Sequence, residues 1–425
     1  MMAAGLAVAV TVTAACAPDN DGGGATKDSA ATFHAGGTHG VEAAAPSATA
    51  ADKAIGLQAM LGQHSVLAAD LMRSRIRGDD DFVQAANAAL GKNTDDMSGL
   101  VGQLFGDAAA KQFAPLWSGH IVLLVSYAGA IGDGDEAAKK KTKTELIAAE
   151  TKLATFFADA SGGRLPLPAA KAAVATHVDH LTGQADAYAA KDYAKADKLY
   201  RENFEHTYDL GGALAGALLP PADAKVLEEP IWRLRSTLGK LLAEHAVLIE
   251  DVTRAAVSNT ADFTASGSQM NANTEALAAA IDTLFDAKAA KTFQDLWANH
   301  VEQLVAYSAA TAAKDPAKQR AAKSKLAGFE KQMSAFLGSA TGHKLSDEVL
   351  ASALLAHDGM LMRHADAYGR KDYAGAHDLA YQTYDHMIEL ARTLADAFGE
   401  KVAERLPKGG AATGYGGEAH VVEHR

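Results

Sequence analysis

Apolar residues recur at spacings of three and four along nearly all of the chain between residues 52 and 402, as in Leu57, Met60, Leu61, Leu67, Ala68 and Leu71. That spacing puts them on one face of a 3.6-residue helix. Alanine is abundant and Val/Ile runs of strand type are absent, so the pattern is helical throughout. In its first part it predicts helices near 53–77, 80–91 with 94–105, 107–132, 135–160, 167–190 and 192–217. The breaks carry turn chemistry: Gly132 and Gly134, then Gly162, Gly163 and Pro166, then Asp192 as the cap of the last helix. Short connections make successive long helices antiparallel neighbours, which predicts a helical bundle.

The pattern occurs twice. Shifted by 180, Phe113, Leu116, Trp117 and His120 fall on Phe293, Leu296, Trp297 and His300, and Asp186, Tyr188, Asp192 and Tyr193 fall on Asp366, Tyr368, Asp372 and Tyr373. Upstream, His64, Leu67, Asp70 and Arg73 match His245, Leu248, Asp251 and Arg254 at a shift of 181, which one loop insertion explains. The expected fold is therefore all-α, with two tandem, duplicated antiparallel helical bundles at 52–221 and 229–402. Each copy is long enough to bury a core. The linker between Pro221 and Pro230 is short, so the copies are expected to pack together.

Four histidines recur near the middles of helices. His64, His120, His177 and His206 reappear as His245, His300, His357 and His386, while most intervening positions differ. Antiparallel helices of similar length bring their midpoints to one level, so four imidazoles per bundle form a layer if all face inward. Their helical neighbours are apolar: Leu61 beside His64, Leu124 near His120, Leu181 near His177 and Leu210 near His206. Burying four imidazoles together costs free energy unless each finds a partner. A transition metal takes neutral imidazole as ligand and leaves the second ring nitrogen to donate to an outer carboxylate or carbonyl. Asp209 and Glu389, one turn beyond His206 and His386, are candidates for a further ligand or an orienting group. Asp70 and Asp251 read as helix-surface or arginine-pairing residues. His180, His364 and His377 face Met360, Gln184 and Asp197 in the other copy and so are not common to both.

Imidazole with an occasional carboxylate and no thiolate suits copper or zinc, then iron, and not a site built for calcium or magnesium. A haem held by two of the histidines is a further option, without covalent attachment because no CxxCH motif exists. The Leu116-Trp117 and Leu296-Trp297 pairs, each followed three residues later by histidine with more mid-helix histidines downstream, resemble a group of secreted bacterial helical proteins. That resemblance implies the helical fold and an exported location, and no particular activity.

The formal net charge of -12 argues against a nucleic-acid partner. Residues 3–15 form a short apolar run ending in small residues before Cys16, the single cysteine, and residues 1–15 resemble the signal peptide of a bacterial lipoprotein. The resemblance implies lipidation of Cys16 and a membrane partner reached through the lipid. Residues 16–51 read as a flexible tether and 403–425 as a disordered tail, with His34, His39, His420 and His424 as exposed histidines. Three classes of function follow: an extracytoplasmic lipoprotein that sequesters, buffers or delivers a metal; a cell-envelope scaffold with structural histidines; and a metalloenzyme or haem protein, with Asp209, Glu389, Tyr127 and Tyr307 as its candidate acids and bases.

Overall fold

The computed structural model describes residues 49–407, and within them the chain is all-α, with no strand among the described residues. The first copy comprises α1 (Ala50–Arg77), α2 (Asp80–Phe105), α3 (Asp107–Asp133), α4 (Glu136–Ala160), α5 (Leu167–Ala189) and α6 (Tyr193–Leu218). A short α7 (Pro221–Ala224) and a 3-10 turn (Lys225–Glu228) lead into the second copy. It comprises α8 (Pro230–Ser258), α9 (Phe263–Leu284), α10 (Ala287–Ala312), α11 (Pro316–Ala340), α12 (Asp347–Gly369) and α13 (Tyr373–Phe398), with α14 (Glu400–Ala403) at its end. Residues 1–15, Cys16, His34, His39, His420 and His424 lie outside the described residues. Helical packing reaches slightly past the expected boundary at 402, since Ala403 is buried and Arg405 donates to the Leu284 carbonyl.

The helix ends follow local chemistry. Thr49 and Asp52 form a reciprocal capping box at the start of α1, and Gly78 ends it in a left-handed conformation. The break expected in α2 near residue 92 does not occur. Asn93 is buried there and donates to the Met60 carbonyl and to Gln63 Oε1, both at 3.1 Å, so tertiary bonds hold the helix continuous. Asn273 repeats this in the second copy, donating to the Leu241 carbonyl at 3.0 Å and to Glu244 at 2.7 Å.

Each copy is organised around its first helix. In α1 every residue from Leu61 to Ala69 is buried, and in α8 every residue from Leu242 to Ile249. A helix buried all round in mid-length must carry its polar side chains into the interior, which is where His64 and His245 stand. Gly211 lets α6 approach α1 closely, since a Cβ there would stand 2.5 Å from the Gln58 Cα. α3, the one described helix long and apolar enough to cross a membrane, spends that apolarity on the core through Phe113, Trp117, Leu124 and Tyr127.

The apolar core runs without interruption through both copies. α1 lies against α8, and α2 against α13. Polar bonds cross this seam as well: Tyr384 donates to the Ala59 carbonyl, Tyr381 to Asp96, and Arg201 pairs with Glu244.

Candidate metal centres

In the first copy α1, α3 and α5 bring His64, His120 and His177 together. The ring centroids stand 5.2 Å apart for His64 and His120, 5.5 Å for His64 and His177, and 5.6 Å for His120 and His177. In the second copy α8, α10 and α12 bring together His245, His300 and His357, with all three separations 5.5 Å. All six are buried, and within each triad one nitrogen from every ring lies within 4.8 Å of the others. Metal–imidazole bonds of about 2.0–2.1 Å put three ligating nitrogens roughly 3.3–3.6 Å apart, so about 1 Å of side-chain closure completes a site.

The polar groups around these rings are unevenly supplied. Among the described residues, neither nitrogen of His64 nor of His120 has a hydrogen-bond partner, and neither does Nε2 of His177. His177 Nδ1 lies 3.0 Å from Asn203 Oδ1, an acceptor only, so Nδ1 carries the proton and Nε2 presents its lone pair to the other two rings. In the second triad both nitrogens of His357 and Nε2 of His245 and His300 are without hydrogen-bond partners. His300 Nδ1 stands 3.1 Å from the buried Asp358 Oδ1, outside hydrogen-bonding geometry, so that nitrogen too has no hydrogen-bond partner. Burial, and after it the neighbouring Asp358, push Glu330 up to about 7. Trp297 Nε1 donates to His245 Nδ1 at 3.2 Å, while Trp117 packs at 4.4 Å on His64 without such a bond.

Burial keeps the rings of His64, His120, His177, His245 and His357 neutral. It lowers His120 to about 4. It lowers His177 to about 3, helped by repulsion from His120. His64, His245 and His357 fall well below the ordinary value for the same reason, with neighbouring imidazoles adding to the effect. Neutral imidazole is the metal-binding form.

The remaining candidates stand apart from the triads. His206 and His386 share the level but not the cluster: each is half-buried, with Nε2 on the carbonyl of Ala173 at 3.0 Å and of Ala353 at 3.1 Å. Asp209 receives Lys240 across the seam at 3.0 Å, and Glu389 is held by Arg392, so neither orients a triad histidine. Asn203 takes that place for His177, and Asp358 lies beside His300. The sequence held little sign of them, because Thr383 and Val178 occupy the matching positions in the other copy. Tyr127 and Tyr307 donate to Asp186 and Asp366, bracing α3 on α5 and α10 on α12, and are engaged away from the rings.

Compared with known protein families, with characterised proteins and with solved structures, the chain matches none.

Proposed function

We propose that this is an extracytoplasmic metal-binding protein that takes one transition-metal ion in each histidine triad, for sequestration, buffering or delivery, and that it is held at the membrane by a lipid on Cys16. Copper and zinc suit three neutral imidazoles best, and iron less well. The observation that carries the reading is the set of five ring nitrogens in the first triad that the protein leaves without partners. Each such buried group costs about 1–3 kcal/mol. Five together rival the whole stability of an ordinary domain, roughly 5–15 kcal/mol. A bound ion removes much of that cost by using three of the lone pairs. Purely structural histidines would have been given hydrogen-bond partners, as His206 and His386 have.

Full burial favours holding an ion over turning over a substrate, and the candidate acids and bases are all engaged elsewhere. The two triads also differ in readiness. Ligation through His245 Nε2 moves a proton to Nδ1 and breaks the Trp297 bond, a rearrangement that the first triad does not need.

Elemental analysis and thermal unfolding of untagged protein with added copper or zinc test the reading. An ion that binds only the folded state at a hundredfold excess over Kd adds about 2.7 kcal/mol per site. His120→Ala and His300→Ala should each lower bound metal by one equivalent and together remove the shift due to the triads. Unchanged stoichiometry in both variants would make the histidines structural. For the anchor, Cys16→Ser should release the protein from the membrane fraction and abolish palmitate labelling. A wild-type chain that takes up no label would remove the lipid from the proposal.

A further inference from the structure

The two copies treat one position in opposite ways. In the first copy the Arg73 guanidinium fills the space between α5 and α6: its Nε donates to Gln184 Oε1 at 2.9 Å and it pairs with Asp197 at 2.8 Å. In the second copy the matching Arg254 turns toward the loop after α8, held by Asp251 at 2.7 Å and by Asp262 at 2.6 Å. The residues matching Gln184 and Asp197 are His364 and His377. A cavity of about 50 Å³ lies there, at the seam where α1, α6, α8, α12 and α13 meet. At about 10–15 Å³ per water-sized occupant, it holds an ion together with a few waters.

The lining is a donor set. His364 and His377 are both more than nine-tenths buried, and among the described residues His364 Nδ1 and His377 Nε2 have no hydrogen-bond partner. Glu250, whose Oε1 is likewise unpartnered, enters from α8, and Asp70 enters from α1 of the other copy. Arg254 also borders the cavity, held by Asp251 and Asp262, and Arg73 reaches the same Asp251 from the other copy at 3.9 Å.

We infer that this seam cavity is a third metal site, in which His364, His377, Glu250 and Asp70 hold a divalent first-row ion where the first copy holds the Arg73 guanidinium. Two imidazoles and two carboxylates neutralise a divalent charge and suit zinc, manganese or iron(II). Its donors are spread wider than those of the triads, so the ion keeps water in its shell. Because the ligands come from both copies, occupancy would also tie the copies together. The site does not depend on the triads binding anything.

The test uses the full-length, untagged chain and Zn2+, counted by elemental analysis and titrated against a chromophoric chelator. The double substitution H364Q/H377D installs the residues of the first copy and should bind one equivalent fewer than wild type. The H120A/H300A chain, with both triads disabled, should retain the seam ion, and adding E250Q, which preserves side-chain shape, should weaken it at least tenfold. If wild type binds a single equivalent that H364Q/H377D loses, the triad reading fails and the seam site stands. If H364Q/H377D folds and binds as much Zn2+ as wild type, or E250Q leaves the affinity of the H120A/H300A chain unchanged, there is no seam site.

Discussion

In the presence of a chelator, His120→Leu should make the protein more stable, not less. Both ring nitrogens of His120 are buried without a hydrogen-bond partner among the described residues, and leucine fills a similar volume with no polar atom to desolvate. Removing the two unsatisfied groups is worth roughly 2 kcal/mol or more at neutral pH. The gain should widen in acid. His120 in the folded protein protonates only at about 4, whereas in the unfolded chain it protonates near its ordinary 6.5. Between those values the unfolded state binds the extra proton, so the histidine contributes a loss of stability as the pH falls through that window, and leucine does not. A fall from 6.5 to about 4 corresponds to about 3 kcal/mol by pH 4. Denaturant unfolding of wild type and variant at pH 7.5 and 5 measures it. A variant less stable than metal-free wild type at both pH values would mean that the imidazole is a structural element of the core.

Such a trade between stability and binding explains which parts of the molecule could be read from its sequence. The six triad histidines were legible because two copies kept them in mid-helix while their surroundings drifted, and because antiparallel packing levels the midpoints of α1, α3 and α5. Level is not the same as direction. His206 shares the level, but α6 turns its ring toward the Ala173 carbonyl, and the rotation of a helix about its axis is set by packing that a repeat does not record. The polar groups beside the rings were hidden for the opposite reason. Asn203 and Asp358 lie beside different histidines in the two copies, so neither recurs. Asp209 and Glu389 look right on a helical wheel, yet Lys240 and Arg392, which claim them, are visible only after folding.

The seam carries the same lesson further. Attention to repeated residues passes over His364 and His377, because Gln184 and Asp197 face them in the other copy. Divergence there is what opens the cavity: where one copy closed the gap with its own guanidinium, the other left donors facing a space. A duplicated chain can thus show its shared chemistry by what the copies keep, and a further chemistry by where a buried polar cluster has ceased to match.

Metal held by the first triad should remain bound in mild acid. A site built from three histidines of ordinary pKa, 6.5, loses about twenty-fivefold in affinity per ligand between pH 7 and 5, or roughly 10⁴-fold in all, because each ligand must shed a proton. His120 and His177 are already neutral down to about 4 and 3, and His64 is depressed well below its ordinary value, all chiefly by burial. The folded site therefore meets the ion as free base, and its affinity should change by less than tenfold from pH 7 to 5. For the same reason binding should release almost no protons, so its calorimetric enthalpy should not depend on the ionisation enthalpy of the buffer. The measurement compares His300→Ala, which keeps the first of the two triads, with the H120A/H300A chain, and attributes the difference to that triad. Solvent-exposed histidines would instead give the steep acid loss of ligands with an ordinary pKa. If the His120-dependent ion is lost a thousandfold or more by pH 5 while the protein stays folded, the bound metal sits on solvated histidines and the buried triad is not its site.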